Sequence, residues 1–211
     1  ELAIKVRLII QSSVASSKPI HLTIPFGGFK KWQLPSYPHI DWAEVFNAIH
    51  LRSYILPIAA AYKPGVVIEY FSDEIFVSRM NNYPQIDLDI YNDEFARLLE
   101  NLNSHMPNNA SYKFSKIRDQ ISQEELMTRF DKIIAELKQE WPKLPEEEQK
   151  YRIEKARRNY RVDETFEKMT KDEQEQAIWE STLVHDAFIF GDWEQGVPWA
   201  FGEEMISIGF M

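Results

Sequence analysis

The sequence predicts an α/β fold with a mainly parallel sheet, flanking helices and a helical second half. Two short runs rich in β-branched and apolar residues, 20–25 and 66–71, are typical of β-strands. The stretch between them carries enough apolar residues for a long helix over 42–62. Strand, helix and strand within about 50 residues form a βαβ unit, whose crossover is right-handed in nearly all proteins. The two strands are therefore expected to be parallel neighbours.

Residues that start or stop regular structure mark the ends of these elements. Pro25 ends the first strand, and Asp41 stands at the N-cap of the helix with Glu44 three residues later. The Lys-Pro-Gly sequence at 63–65 ends the helix. Apolar residues run nearly all round this helix, which predicts burial on more than one side. Residues 2–14 fit helical spacing and strand alternation equally well, so periodicity alone does not assign them.

The rest of the chain is predicted to be mainly helical, from about 115 to 190. Before it, apolar residues at 88–103 recur at helical spacing and place one stripe along a helix. Two capping-box patterns precede further helices, at Ser122 with Glu125 and at Thr170 with Glu173. The stretch 146–161 is charged with few apolar positions, and a last strand is predicted at 205–210.

Length and composition restrict the class of protein. With 211 residues we expect one domain over 1–211, trimmed at both ends because the chain starts at Glu1 and stops on an apolar run. A formal net charge of −9 repels phosphate backbones and acidic lipids, so neither nucleic acid nor membrane is an expected partner. The absence of cysteine excludes disulfides, thiolate zinc sites and thiol nucleophiles. With no membrane-spanning run and no signal peptide, a cytoplasmic protein is expected.

Candidate site residues follow the two strands of the βαβ unit, because ligands of open α/β sheets bind beyond the carboxyl ends of parallel strands. After the first strand, Gly27 and Gly28 allow a ligand to approach the backbone, and Lys30 supplies a positive charge. Ser72 and Asp73 follow the second strand. We expect Lys30 and Asp73 to open into one pocket. The alternative is a simple glycine turn, a solvated lysine, and a Ser72 or Asp73 that caps a turn.

Four segments in this part of the chain resemble a known family. They read IHLTIPFGGFK at 20–30, DWAE at 41–44, YKPG at 62–65 and IEYFSD at 68–73. Their order and spacing are similar to those of the isonitrile (isocyanide) synthases, the pyoverdine/dityrosine biosynthesis family. The resemblance covers roughly 20–103 and implies a Rossmann-like α/β fold. It also implies condensation of an aromatic amino acid's amine with ribulose 5-phosphate to make an isonitrile.

The chain departs from the family pattern at three points. Phe26-Gly27-Gly28-Phe29-Lys30 stands where the family usually has Phe-Pro-Phe-Lys, and Glu74 replaces the glycine of its Ser-Asp-Gly. The arginine and histidine of the family's last strand, Arg-Leu-Ser-Ile-His, have no counterpart in the run Met-Ile-Ser-Ile-Gly at 205–209. These losses concern the family's chemistry more than its fold.

The resemblance implies roles for three candidate catalytic residues. Lys30 binds phosphate or activates a carbonyl, Asp73 acts as an acid or base, and Glu44 holds the lysine or the substrate amine. Gly27, Gly28 and Ser72 are assigned to substrate binding. The implied substrates are an amino acid and a sugar phosphate, and no cofactor is required. The alternative is a non-catalytic relative that binds a small ligand or a protein, and the oligomeric state is not determined.

A basic cluster on this acidic chain is a candidate phosphate clamp. Arg157, Arg158 and Arg161 share one side of a helix, next to Lys155, and the arginine fork matches phosphate oxygens. The alternative is a solvated face on which these residues pair with acidic neighbours, Glu154, Asp163 and Glu164.

Two further clusters of candidate site residues lie late in the chain. His185, Asp186 and Asp192 suggest a metal site, but their spacing is not that of ligands on one helix face, so no metal is predicted. An aromatic loop before the last strand lines a substrate pocket or packs in the core, and it contains Trp193, Trp199 and Phe201.

Overall fold

The fold is described from a computed structural model, which defines residues 2–119, 122–190, 206 and 207. The elements follow in the order α1 (Leu2–Ala15), β1 (Ile20–Phe26), α2 (Trp42–Ala61), β2 (Val66–Ser72), α3 (Glu74–Asn81), α4 (Gln85–Asn103), β3 (Ala110–Lys116), α5 (Gln123–Glu140), α6 (Glu146–Asn159), α7 (Glu164–Lys168), α8 (Lys171–Phe190) and β4 (Ile206–Ser207). Short 3-10 turns at Ile117–Asp119 and Trp141–Lys143 flank α5.

The residues gather in two compact units. The first unit comprises Glu1–Asp73, Asp87–Ile117 and Pro198–Met211, and it contains the sheet. The second unit comprises Glu74–Ile86 and Arg118–Val197, and its described residues are mostly helical. No helix in the described part of the chain is both long and apolar enough to cross a membrane.

The sheet confirms the predicted α/β class. Its strand order is β3-β2-β1-β4, and every pairing between neighbours is parallel. β1 and β2 run side by side from Ile20 opposite Val66 to Phe26 opposite Ser72, joined by α2. The predicted βαβ unit is therefore confirmed, and the helix predicted at 88–103 corresponds to α4.

Other elements differ from the sequence prediction or complete it. The ambiguous stretch 2–14 is helical, and the charged stretch 146–161 contains α6. Strand β3 was not predicted, because its sequence ASYKFSK has only two large apolar residues among small and charged ones. Of the strand predicted at 205–210, residues 206 and 207 pair with β1, and the others lie outside the described residues.

The prediction that α2 is buried on more than one side is wrong. Its buried residues form a single stripe, Ala48, Leu51, Ile55 and Ala59. On the other side Trp42 is 71 % exposed and Phe46 is 63 % exposed, with their rings 5.9 Å apart. Only one face of the helix packs on the core of the first unit, so the apolar residues elsewhere remain at the surface.

The two faces of the sheet differ in character because side chains alternate along each strand. One face is apolar and packs with α2 and α4 in a core that includes Ile24, Ile68, Tyr70, Phe95 and Leu99. The other face carries a polar row that runs across the strands, with Thr23 opposite Glu69 and Glu69 opposite Lys113. Thr23 and Glu69 are buried.

Two helices of the second unit, α5 and α8, begin with predicted caps. At the start of α5, the Ser122 hydroxyl accepts a hydrogen bond from the backbone N–H of Glu125 at 3.2 Å. At the start of α8, the backbone N–H of Thr170 donates to the Glu173 carboxylate at 2.7 Å, and the Glu173 N–H donates back to the Thr170 hydroxyl. The apolar contacts of the second unit include the rings of Phe76 and Phe130, whose centroids are 4.7 Å apart.

A left-handed residue at the end of α1 leads to a stability prediction. Ser17 has a φ of 52°, and the N–H groups of Ser17 and Lys18 donate to the carbonyls of Val14 and Ser13. This is the Schellman arrangement, in which glycine is the preferred left-handed residue. We expect Ser17→Gly to raise the free energy of unfolding by about 1 kcal/mol in urea titrations. Ser16→Gly is the control, and an equal gain there would contradict the reasoning.

Candidate active site

Lys30 is the charged centre of a cluster beyond the carboxyl end of β1. Its side chain is 5 % exposed, so the alternative of a solvated lysine is wrong. The ammonium Nζ lies 2.9 Å from both carboxylate oxygens of Glu44 and 2.9 Å from Oδ2 of Asp41. Lys30 is therefore held by two carboxylates, and its charge is compensated within the protein.

The start of α2 positions both carboxylates. Asp41 is the N-cap and accepts from the backbone N–H of Ala43 at 2.8 Å, while the Asp41 N–H donates to Oε2 of Glu44 at 2.7 Å. This reciprocal capping box places Glu44 in the first turn of the helix. Tyr91 on α4 donates its hydroxyl to Oε1 of Glu44 at 2.9 Å. A local sequence signal thus fixes where the carboxylate points.

The charges of this cluster sum to −1, from one lysine and two carboxylates. Burial acts to lower the pKa of Lys30, but its hydrogen bonds to Glu44 and Asp41 outweigh burial and raise it. The hydrogen bond from Lys30 and those from Ala43 and Ser36 hold the pKa of Asp41 well below its usual range. Burial, together with the Glu44 charge, raises the pKa of Tyr91 far above its usual value. At neutral pH Tyr91 is therefore a hydrogen-bond donor.

A cavity of about 290 Å³ opens beside this cluster in the first unit. Its lining combines the end of β1, the first turns of α2 and aromatic rings: Ile24, Pro25, Phe26, Gly27, Ala43, Glu44, Asn47, Tyr70, Tyr91 and Phe95. The Phe26 ring stacks on Phe95 with centroids 4.4 Å apart. Tyr70 donates its hydroxyl to Oδ1 of Asn47 at 3.0 Å. The cavity therefore has aromatic walls and one carboxylate, Glu44.

At Gly28 the glycine turn packs closely against other residues of the protein, and ligand binding by Gly27, Gly28 and Ser72 stays a prediction. Gly28 has a φ of +64°, and a Cβ there would lie 2.2 Å from Oγ of Ser72 and 2.7 Å from Oδ1 of Asn92. Ser72 donates to Asn92 at 2.8 Å, and Asn92 donates to the Gly28 carbonyl at 2.9 Å. Gly28 and Ser72 are thus parts of a buried network that joins the turn to β2 and α4. A Cβ at Gly27 would lie 2.8 Å from the Phe29 ring.

Asp73 follows β2 at the same end of the sheet. Its backbone N–H donates to the carbonyl of Phe26 at 3.2 Å, and its Oδ1 lies 4.0 Å from the position of a Cβ built at Gly27. Of the predicted site residues, Gly27 and Glu44 line the cavity. That Lys30 and Asp73 share one pocket stays a prediction.

Comparison with known proteins gives a likeness of fold. No family model and no curated protein matches the chain. Among solved structures, the crystal structure of the PvcA protein from Pseudomonas aeruginosa is similar, with a TM-score of 0.65 and 15 % sequence identity. The alignment covers 99 % of this chain and 73 % of PvcA. The chain has the fold of PvcA.

The arginine cluster lies in the second unit of this PvcA-like fold and is partly ion-paired there. Arg157 Nη2 lies 2.7 Å from Oε2 of Glu175, and Arg161 Nη1 lies 2.9 Å from Oδ2 of Asp163. Arg158 is an exposed residue in the last turn of α6. The pairing of Arg161 with Asp163 is the one foreseen by the alternative interpretation, and a phosphate clamp stays a prediction.

The late clusters fall partly outside the described residues. Asp186 is buried, and its Oδ2 lies 2.8 Å from Nη1 of Arg152. Nδ1 of His185 lies 3.9 Å from Oδ1 of Asp186. Within the described ranges no group of three metal-ligating side chains is found. Outside them lie Asp192, Trp193, Trp199 and Phe201.

Sequence reasoning missed three polar residues of the site in this PvcA-like fold. Tyr91 was counted only as part of an apolar stripe, and Asn92 and Asn47 were not singled out. Asn92 is 0 % exposed and four residues after Leu88 on the buried face of α4, with its amide donating to the Leu88 carbonyl at 2.7 Å. An asparagine at a buried helical position is the signal that indicates such a network.

Proposed function

We propose that this chain is a distant relative of the isonitrile synthases that condenses the amine of an amino acid with a pentulose phosphate such as ribulose 5-phosphate. Its support is the Glu44 carboxylate, which lines an aromatic cavity and belongs to a cluster of net charge −1. The fold shared with PvcA is the kind of fold that the motif resemblance implies. The motif resemblance supports the proposed reaction class, and the cavity is the proposed place of the reaction.

The charge of the cluster favours a cation as the first ligand. One net negative charge in a partly buried setting attracts an ammonium group, and it disfavours a phosphate at the same point. In the proposal Glu44 receives the substrate amine and Lys30 holds Glu44 in position. The phosphate-binding role of Lys30 is therefore replaced, because its ammonium already contacts two carboxylates.

The walls of the cavity favour an aromatic amino acid. Phe26, Tyr70 and Phe95 form a connected set of rings, with Phe26 and Phe95 stacked and Tyr70 edge-on to both. Aromatic rings gain about 0.5–1.5 kcal/mol from such geometry beyond the burial of their surface. A cavity of about 290 Å³ is near the lower end of the size range of ligand sites.

The first chemical step needs a base near the amine. An ammonium group must lose a proton before its nitrogen attacks the ketone carbon of the pentulose phosphate, after which water leaves. Glu44 is the carboxylate in the cavity wall, and Tyr91 donates to one of its oxygens. Asp73, beyond β2, is proposed as a second acid or base for the later proton transfers.

The experiment is an assay of the purified protein with tyrosine or tryptophan and ribulose 5-phosphate. The expected product is one carbon heavier and two hydrogens lighter than the amino acid, as measured by mass spectrometry. Glu44→Gln keeps the capping hydrogen bond but loses the charge, and we expect a loss of product formation of about tenfold to a hundredfold.

The matched control is Glu173→Gln, because Glu173 occupies the same third helical position in the capping box of α8 and is exposed. Its activity should equal that of the unmodified protein. If the amino acid raises the melting temperature but yields no product, the chain binds the ligand without catalysis. Equal activities of the two variants would contradict the role of Glu44.

A further inference from the structure

A second and larger cavity lies at the opposite end of β1. It measures about 650 Å³, opens to solvent, and is lined by residues of α1, of the turn that follows it, and of the amino ends of β1 and β2. Residues of both polar and apolar character line it: Lys5, Leu8, Ile9, Ser12, Ser13, Ser16, Lys18, Pro19, His21 and Val67. Five residues of α1 line it, Lys5, Leu8, Ile9, Ser12 and Ser13, and their spacing of i, i+3, i+4, i+7 and i+8 places them on one face of the helix.

A buried carboxylate supports the floor of this cavity. Nε2 of His21 lies 2.7 Å from Oε2 of Glu69, whose side chain is 1 % exposed. The other oxygen of Glu69 is 2.8 Å from Nζ of Lys113 and accepts a hydrogen bond from the Ser115 hydroxyl. These contacts from the two neighbouring strands, β1 and β3, fix the Glu69 carboxylate, and it in turn orients the imidazole of His21.

The groups around the cavity favour an anion. Lys5 and Lys18 both line it, and Lys18 is fixed as the residue after the left-handed Ser17. The carbonyls at the end of α1 carry the negative end of the helix dipole, and hydrogen bonds to two of them reduce the cost of placing an anion there. The Ser12 carbonyl accepts from the Ser16 hydroxyl at 2.8 Å, and the Ser13 carbonyl accepts from the Tyr62 hydroxyl at 2.9 Å.

We propose that this cavity binds a small phosphomonoester, with Lys5, Lys18 and His21 around the phosphate. Leu8, Ile9 and Val67 offer apolar surface to the carbon part of the ligand. The volume lies within the usual range for small-molecule sites and exceeds what a bare phosphate fills. The geometry assigns to Glu69 a positioning role, because it contacts His21 and not the ligand.

This site is separate from the proposed amine site. His21 and Phe26 are five residues apart on β1, which is roughly 17 Å at the rise of a β-strand. Their side chains also point to opposite faces of the sheet, since one has an odd and the other an even number along the strand. A phosphomonoester bound here is therefore a second ligand and not the partner of the amine at Glu44.

The test is calorimetric titration of the whole protein with glycerol 3-phosphate, inorganic phosphate and, as an ionic-strength control, sodium chloride. We expect one glycerol 3-phosphate per chain, bound more tightly than inorganic phosphate. Lys5→Met and His21→Gln should each weaken it by about tenfold, as expected for a lost charge-assisted hydrogen bond. Lys63→Met, which removes an exposed charge of the first unit away from the cavity lining, should leave the affinity unchanged.

Several outcomes would overturn the proposal. They are no binding at millimolar glycerol 3-phosphate, equal affinities for the ester and inorganic phosphate, or an affinity that Lys5→Met leaves unchanged. Because Lys5 is exposed, Lys5→Met keeps the test valid even if His21→Gln fails to fold. Glu44→Gln should bind glycerol 3-phosphate normally, so failure of the amine site and failure of this site are distinguishable.

Discussion

Replacement of Lys30 by methionine is expected to lower the free energy of unfolding by about 3–5 kcal/mol, the cost of leaving a buried charge without its partner. The substitution keeps the length of the apolar stem but removes the ammonium that lies 2.9 Å from Glu44 and Asp41. The carboxylate of Glu44, with an 11 % exposed side chain, then remains largely buried without a cation. Product formation should be lost as well, since Glu44 is no longer held in place.

Urea unfolding followed by circular dichroism measures this effect. Lys31→Met is the matched control, because Lys31 is the exposed neighbour, and its change should stay within about 0.5 kcal/mol. The double variant Lys30→Met with Glu44→Gln removes both the cation and one carboxylate charge, so it should recover part of the lost stability. A single variant as stable as the Lys31 control would refute the view that Lys30 compensates the charge of Glu44.

Glu69→Gln is expected to change how stability depends on pH. Burial acts to raise the pKa of Glu69, but hydrogen bonds from His21, Lys113 and Ser115 outweigh it and lower the pKa from 4.5 to about 2. The folded state thus binds this proton less tightly than the unfolded state. The Glu69 charge stabilises the fold above pH 4.5, and this contribution is lost as the pH falls from 4.5 towards 2.

The shift corresponds to about 3 kcal/mol at neutral pH. The difference in the free energy of unfolding between the unmodified protein and Glu69→Gln should therefore shrink by about 3 kcal/mol between neutral pH and pH 2. Other carboxylates titrate in both proteins and cancel in this difference. Glu100→Gln removes an exposed carboxylate of α4, and its difference from the unmodified protein should stay within about 0.5 kcal/mol. If the difference in the free energy of unfolding between the unmodified protein and Glu69→Gln does not vary with pH, the hydrogen bonds to Glu69 do not favour its charged form.

The sequence was informative about the site wherever the interactions are local. The Asp41 and Glu44 pair was predicted as a helix start, and both halves of its capping box are formed. A capping box joins residues three positions apart, so its geometry follows from the first helical turn alone. The same reasoning explains why Thr170 and Glu173 were correctly assigned to the start of α8.

The partners of Lys30 show where local reasoning ends. The residue was singled out for its positive charge, and only the family resemblance implied that Glu44 holds the lysine or the substrate amine. Glu44 is fourteen positions away along the chain, and Tyr91 lies on another helix. Whether a lysine after a strand faces water or two carboxylates depends on how the loop 27–40 folds back on α2. No local sequence pattern encodes this path, because the loop is held against α2 by contacts between residues that are far apart in the sequence.

The sequence by itself determined the βαβ order, the parallel pairing of β1 with β2 and the position of the Glu44 cap. These properties follow from the periodicity of side chains and from the right-handed crossover, both of which act over short stretches of chain. The tertiary structure alone decided that Gly28 packs against Ser72 and Asn92, and that His21, Glu69 and Ser115 meet on one sheet face. Such contacts depend on which strands are neighbours and on the register between them. The sequence of each strand alone determines neither, so these contacts are known only once the sheet is assembled.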